Sequence, residues 1–453
     1  MRKLLSGAAE RAICYLEGLD ARGVAPVPAA IERLKKWDEA LPDGPTDPET
    51  VVALLDEVGS PATMAMAGPR FFGFVIGGSL PAALAANWLA GAWDQNTALS
   101  AVTPGTAMLE RIALRWLLDV LALPSTCGGA FVTGATMANF TALAAARHAV
   151  LAKAGWDVDA QGLFGAPPVT VVVGAEAHPS LFKALGLLGL GRDRVVRVPV
   201  DGQGRMRADA LPPLSGPTIV CIQAGNVNTG AFDPAPEICR RARAAGAWVH
   251  VDGAFGMWAA AAPSRAHLAT GLADAESWAT DAHKWLNVPY DSGLAFVRDP
   301  EALRGAMAVS AAYLPAGESR DPADYTPELS RRARGVEVWA ALRSLGRAGL
   351  ADLVERTCRH ATRFAEGLRM AGYQVLNDVA LNQVLVSFGD AETTRRVVAG
   401  IQVDGTCWCG GTVWQGHVAM RISVSSWATT ESDVERSLNA MLRVAAAQRR
   451  RTR

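Results

Sequence analysis

Lysine is scarce in this sequence. Of 44 basic residues only six are lysines: Lys3, Lys35, Lys36, Lys153, Lys183 and Lys284. Cysteine is sparse as well. The seven are odd in number and scattered, which excludes a disulfide framework. Cys407 and Cys409 form a C-x-C pair, but no second Cys or His pair stands at ligand spacing, so no metal site is expected. Net charge is missing: 44 basic residues balance 44 acidic ones. That removes the basic excess of a nucleic-acid binder. With half the chain hydrophobic, it also excludes disorder. Long apolar runs are absent too. No stretch of about 18 residues escapes a charge or proline, so no membrane span is expected. The richest stretch, Gly246 to Ala262, contains His250 and Asp252. The N-terminus, MRKLLSGAAERAICYLEGLD, is acidic by residue 10 and lacks the apolar core of a signal peptide. A reducing cytoplasm is the expected compartment.

What is present is a chain of 453 residues, long enough for two to three domains with a sizeable core. Residues 1–75 carry helix-period apolar positions in RAICYLEGL, IERLKKWDEAL and ETVVALLDEVG, separated by proline-rich breaks. Such thin amphipathic helices need a partner surface, either the rest of the chain or a second subunit. Over residues 76–345 short β-rich runs alternate with helical stretches. The runs include GAFVTG, VTVVVGAE, VVRVPV, TIVCIQAG, AWVHVDG, SWATDAHKW and GLAFVRD. This alternation predicts an α/β domain with a mostly parallel sheet covered on both faces. Ligands in such sheets sit at the carboxyl ends of strands. Residues 346–453 read as a smaller α+β domain, with strands near QVLVSF and VAMRISV and a closing helix.

Chemistry concentrates in four places. Lys284 lies in ATDAHKWLNVPYDSG, and a lysine kept in an arginine-rich chain suits a Schiff base, which arginine cannot form. Taken alone, it suits an ordinary surface position as well. Asp252 stands 32 residues earlier (284 − 252), at the end of the apolar run AWVHVD. A lone carboxylate there needs a cationic or hydrogen-bonding partner, and a protonated pyridine nitrogen would be one. A Lys Schiff base with an Asp on the ring nitrogen is the pattern of pyridoxal 5′-phosphate (PLP) sites. Thr133-Gly134-Ala135-Thr136 follows a predicted strand and opens a helix, where backbone N–H groups can meet a phosphate. A plain strand–turn–helix would look much the same. His178, in GAEAHPSLFKA, suits either a helix cap or a ring stacked on the cofactor.

The ordered set PRFFGF (69–74), GAFVTGATMANFTAL (129–143), AHPSLFKA (177–184), NTGAFDP (228–234), HVDGAFG (250–256) and DAHKWLNVPYDSG (281–293) resembles the group II PLP-dependent decarboxylases. That is the family of aromatic-L-amino-acid decarboxylase and glutamate decarboxylase, and the likeness runs from about Leu5 to Ala446. It implies the fold type I architecture of aspartate aminotransferase, with a small C-terminal domain. It also implies a homodimer whose active sites lie at the interface, with residues 1–75 packed on the partner. The reaction implied is decarboxylation of an L-amino acid to its amine.

Carried over by position, Lys284 is the Schiff-base lysine, Asp252 the partner of the ring nitrogen, and His178 the ring-stacking residue. Gly134, Ala135, Thr136, Ala254, Asp281 and His283 complete the cofactor-binding set. Tyr313, 29 residues past the lysine (313 − 284), matches the loop tyrosine thought to return a proton to Cα. Phe74, Asn96 and Ala98 fall where the substrate side chain is bound. Departures occur at Met137, at Gly225-Asn226-Val227, and around Trp93 and Gln95. They separate this pocket from that of the aromatic-substrate enzymes.

Other outcomes stay open at this level. An aldehyde synthase would be associated with loss of the loop tyrosine or the stacking histidine, and both are present. An aminotransferase needs a carboxylate clamp, for which Arg421 is the candidate. A non-catalytic PLP-fold regulator would be marked by a lost Lys or Asp, and neither is lost.

Overall fold

The computed structural model describes residues 1–309 and 320–451. Its elements fall into two compact units. One comprises Met1–Gly78, His360–Leu376 and Val384–Arg453, and the other Ser79–Arg359 and Asn377–Gln383.

The N-terminal segment forms α1 (Arg2–Glu17), α2 (Pro28–Arg33) and α3 (Pro48–Ala62). Prolines at the first turn of α2 and α3 begin those helices where a missing N–H costs nothing. Asp47 caps α3 by accepting from Thr50 N–H at 3.1 Å. α1 buries none of its residues, and α3 only Val58. In the same unit Arg70 is buried, donating to Thr406 O at 2.9 Å and pairing with Asp433 at 3.1 Å.

The larger unit starts with α4 (Pro81–Trp93) and α5 (Pro104–Val120). It is then built on β1 (Gly128–Val132), α6 (Ala135–Lys153), α7 (Val158–Gln161), β2 (Thr170–Gly174), α8 (Pro179–Leu187) and β3 (Val196–Val198). β4 (Thr218–Gln223), α9 (Ala235–Ala244), β5 (Trp248–Asp252), β6 (Ser277–Asp281), β7 (Gly293–Val297) and α10 (Pro300–Met307) follow. The seven strands order as β1-β7-β6-β5-β4-β2-β3. β2 to β6 run parallel, and β7 pairs antiparallel with both β6 and β1. The core strands β1, β4, β5, β6 and β7 are buried at every position. That explains their largely apolar runs, since a doubly covered strand has no solvent-facing side.

Helix α6 is the central cover of one face. It is rich in small residues: Ala138, Ala142, Ala144, Ala145 and Ala146 are all buried, so the helix packs close on β5, β6 and β7. Each larger core side chain around it contributes about 1.5–3 kcal/mol on burial.

Helix α11 (Gly335–Met370) belongs to the larger unit up to Arg359 and to the other beyond it, and Gly346 breaks its helical backbone. The sequence pattern places a helix only over its second part. The closing elements are β8 (Gln374–Val375), β9 (Gln383–Ser387), α12 (Ala391–Asp404), β10 (Gly410–Trp414), β11 (His417–Ser423) and α13 (Glu431–Arg451). The four strands form an antiparallel sheet in the order β10-β11-β9-β8. β10 has no apolar alternation to announce it, being GGTVW. Among the described residues, no helix is long and apolar enough to cross a membrane.

Candidate active site

Strand register decides which side chains meet. β5 and β6 are parallel neighbours, with His250 opposite Ser277 and Asp252 opposite Ala279. Side chains alternate along a strand, so Trp248, His250 and Asp252 share one face of β5. Ser277, Ala279 and Asp281 share the same face of β6. α6 lies over that face. Both aspartates therefore stand at carboxyl ends of adjacent strands, beneath the helix that begins at Ala135.

Asp281 is buried, with 1 % of its surface exposed, and its two oxygens have separate tasks. Oδ1 accepts the Ala135 N–H at 2.6 Å, so a carboxylate sits on the first turn of α6, where the helix dipole favours an anion. Oδ2 pairs with Lys284 Nζ at 3.0 Å. His283 Nε2 lies 3.5 Å from Oδ1. The His283 Nδ1 accepts the Ser292 N–H at 3.2 Å, which directs the ring's Nε2–H toward Asp281. Burial pulls the His283 pKa down, with Asp281 opposing. Its ring stacks on Tyr290 with centroids 4.2 Å apart. The next residue along from Lys284, Trp285, is fixed by its indole N–H to Thr357 Oγ1 at 2.9 Å.

The turn before α6 is tightly fitted. A Cβ on Gly293 would lie 2.4 Å from Gly134 Cα, so β7 can approach this turn only as glycine. A Cβ on Gly134 would meet His283 Cε1 at 3.1 Å and Asp281 Oδ1 at 3.5 Å. Thr136 is half-buried on the same first turn.

Asp252 is 4 % exposed. Oδ2 accepts from Asn139 Nδ2 at 3.3 Å, and Oδ1 accepts the Ala254 N–H at 3.3 Å. Burial raises its pKa; the charges of His178 and Lys284 and the Asn139 bond oppose that, and Asp281 adds to it. Ala254 also ties the two strands, since its carbonyl accepts the Asp281 N–H at 2.9 Å. His178 caps α8: its Nδ1 accepts the Ser180 N–H at 3.2 Å. The cap and a place in the site are thus compatible, because His178 also acts on Asp252 electrostatically.

The structure brings Gly134, Ala135, Asp252, Ala254, Asp281, His283, Lys284 and His178 into one neighbourhood. The expected substrate residues are not joined to it by hydrogen bonds. Asn96 Oδ1 accepts from the Arg331 N–H at 2.9 Å, and Ala98 O from the Ala323 N–H at 3.1 Å. Phe74 belongs to the other unit, where it is 58 % exposed and stacks on Trp408 at 5.9 Å. Tyr313 lies outside the described residues. Among those described, no group of three or more His, Cys, Asp or Glu is placed to hold a metal ion.

Residue-by-residue reading of the sequence missed Asn139, His250 and Ser277. A signal exists for His250 and Ser277. Polar residues at alternate positions of otherwise apolar strands, WVHVD and SWATD, share a face and need partners.

The pyridoxal-dependent decarboxylase conserved domain matches residues 31–389. Tryptophan decarboxylase 1 of Oryza sativa subsp. japonica is 28 % identical over 410 residues, covering 81 % of this chain and 78 % of its own. L-2,4-diaminobutyrate decarboxylase of Rhizobium meliloti (strain 1021) is 29 % identical over 416 residues, covering 86 % and 81 %. The crystal structure of Oryza sativa TDC with PLP and tryptamine superposes with a TM-score of 0.90 at 23 % identity, covering 98 % of this chain and 97 % of that one. The likeness in structure is one of fold type I architecture, and the family match spans most of the sequence: the chain belongs to the pyridoxal-dependent decarboxylase family.

Proposed function

We propose that this PLP-dependent carboxy-lyase removes carbon dioxide from an L-amino acid and releases the amine, using Lys284 as the cofactor's covalent anchor. The observation that carries the assignment is the triad of unlike groups at the carboxyl ends of β5 and β6. A primary amine, a buried carboxylate and a helix N-terminus lie together, and they match the aldehyde, the ring nitrogen and the phosphate of PLP. The turn also fits the group, since Gly134 and Gly293 bring backbone rather than side chains to the helix start. When bound, PLP supplies an aldehyde for the amino group and a ring that accepts the electron pair left as carbon dioxide departs.

The chain's own groups do the rest. Lys284 Nζ would hold the cofactor covalently, hand it to the incoming substrate amine and take it back as the product amine leaves. Asp252 favours a proton on the ring nitrogen, as a buried anion stabilises a nearby cation. Gly134, Ala135, Thr136 and His283 would surround the phosphate at the start of α6, where the helix dipole favours an anion and Asp281 already holds the Ala135 N–H. Asp281 and Ala254 hold the two strand ends in register beneath it. His178 lies against the ring and limits its motion. Tyr313 returns a proton to Cα, a role that rests on the resemblance alone. The resemblance assigns Phe74, Asn96 and Ala98 to the substrate side chain.

The working form is a homodimer in the cytoplasm. In support, α1 and α3 leave Leu5, Val51 and Leu55 at least half exposed, an apolar face suited to a second copy.

A panel of L-amino acids that includes tryptophan and 2,4-diaminobutyrate tests the reaction. PLP-loaded protein should yield carbon dioxide and the matching amine from at least one of them. Keto acid alone would overturn the proposal in favour of transamination. Aldehyde with oxygen uptake would replace it with the synthase reaction.

A further inference from the structure

A buried chain of hydrogen bonds runs behind Asp252. Trp248 Nε1 contacts Ser277 Oγ at 2.8 Å, and Ser277 Oγ contacts His250 Nδ1 at 2.9 Å. His250 Nε2 contacts Asn139 Oδ1 at 2.8 Å, and Asn139 Nδ2 reaches Asp252 Oδ2 at 3.3 Å. His250, Asn139 and Ser277 are fully buried. The donor inventory sets every direction. The Asp252 carboxylate can only accept, so Asn139 gives it the NH₂ and turns its carbonyl to His250 Nε2, which must donate. Ser277, which accepts from the donor-only Trp248 indole, then turns its own hydrogen to the ring's other nitrogen. His250 Nδ1 then accepts, and its proton sits on Nε2, facing the Asn139 carbonyl. Burial holds the His250 pKa down at about 3, so the ring stays neutral and keeps this single tautomer.

We propose that Asn139, His250 and Ser277 are positioning residues for Asp252: a one-way hydrogen-bond chain that fixes one carboxylate oxygen and thereby aims the other at the cofactor's ring nitrogen. The inference rests on the reading of Asp252 given above. Oδ2 is taken by Asn139, and the partner of Oδ1 among the described residues is the Ala254 N–H at 3.3 Å, which a stronger cationic donor can outcompete. Without the His250 proton, the Asn139 amide can turn over and present its oxygen to the carboxylate, which is repulsive. Neutral groups so placed orient a charge without adding one. The other titratable groups acting on Asp252 are His178 before α8, Asp281 and Lys284 beyond β5, and the Cys221 thiol on β4.

The test compares Asn139→Ala, His250→Leu, His250→Gln and Ser277→Ala with parent protein and with Asp252→Asn. Three readouts are taken: apparent Kd for PLP by fluorescence titration, the pH response of the visible absorption of PLP-loaded enzyme, and kcat separately from KM. Asn139→Ala and His250→Leu should each weaken PLP binding about 10-fold, shift the pH response, and lower kcat about 10-fold with KM within about 2-fold. His250→Gln keeps an N–H for Asn139 and should recover most of the loss. Should a truncation not fold, Ser277→Ala carries the test with an expected 2- to 5-fold weakening. Parent-like Kd and pH response in the chain variants, with both lost in Asp252→Asn, would overturn the positioning role alone. Parent-like behaviour of Asp252→Asn would overturn the reading of Asp252 and the inference with it.

Discussion

Two buried aspartates on adjacent strand ends occupy unlike surroundings. Asp281 is held by charge. Its oxygens meet a helix N-terminus and a lysine, and its neighbour His283 leans the same way. Asp252 is held by neutral groups: its oxygens accept from the Asn139 amide and the Ala254 N–H, while Lys284 is paired with Asp281. Burial, position and residue type are the same, so the difference lies in the partners. A carboxylate already paired with cation and dipole is a structural clamp. A carboxylate oriented by neutral groups keeps its charge available for an incoming cation.

The largest effect expected on this comparison comes from the lysine they share. Lys284→Ala should abolish the visible absorption of covalently bound PLP and lower decarboxylation by roughly three orders of magnitude or more. Absorption spectroscopy and amine release read both. Normal turnover would remove Lys284 from the centre of both flanks.

A smaller effect sharpens the contrast. Asp281→Asn keeps an oxygen for the Ala135 N–H and loses the charge at the helix end and on Lys284. Stability of the cofactor-free protein should fall by about 0.3–1 kcal/mol in urea unfolding. Apparent PLP affinity should stay within about 3-fold of the parent, because a phosphate no longer meets a carboxylate there. If Asp281→Asn proved as damaging as Asp252→Asn, the two flanks would be equivalent and the distinction wrong.

The smallest effect concerns acid. His250 titrates near 3 in the folded chain, whereas a free histidine does so near 6.5. On acidification the unfolded chain therefore takes up the proton first. Stability from this site is full above about pH 6.5 and drains away as pH falls toward 3. By pH 5.5 the loss is about 1 kcal/mol. His250→Gln has no such proton to bind, so its stability difference between pH 7.5 and 5.5 should be smaller by that amount. Equal acid sensitivity in both proteins would mean His250 is not held neutral.

Much of the large domain was legible because its strands are short, largely apolar runs set between helical stretches, and all seven announce themselves in turn. The order of Asp252 and Lys284 was legible for the same reason, since each follows such a run. Helix α11 was harder. Its first part lies before Gly346, where the backbone leaves helical geometry, and the pattern is interrupted there. β10 was invisible, because GGTVW owes its place to pairing with β11 and not to its own alternation. Asn139 looked like one polar residue in an alanine-rich helix. Only the register of β5 and β6 beneath it shows what it faces.

The edge position of β1 has a consequence for the order in which the protein comes into being. Its sheet neighbour is β7, which begins 161 residues after β1 ends (293 − 132). At about 5–20 residues per second of synthesis, the start of α6 waits roughly 10–30 s for the strand that secures it. A nascent chain that has made the strands carrying Asp252 and Asp281 still lacks the Gly293 contact with Gly134. The turn before α6 is thus completed late in translation, from the C-terminal side, and a ribosome stalled before Gly293 would carry a chain with Asp252 and Lys284 but without the strand that packs on Gly134.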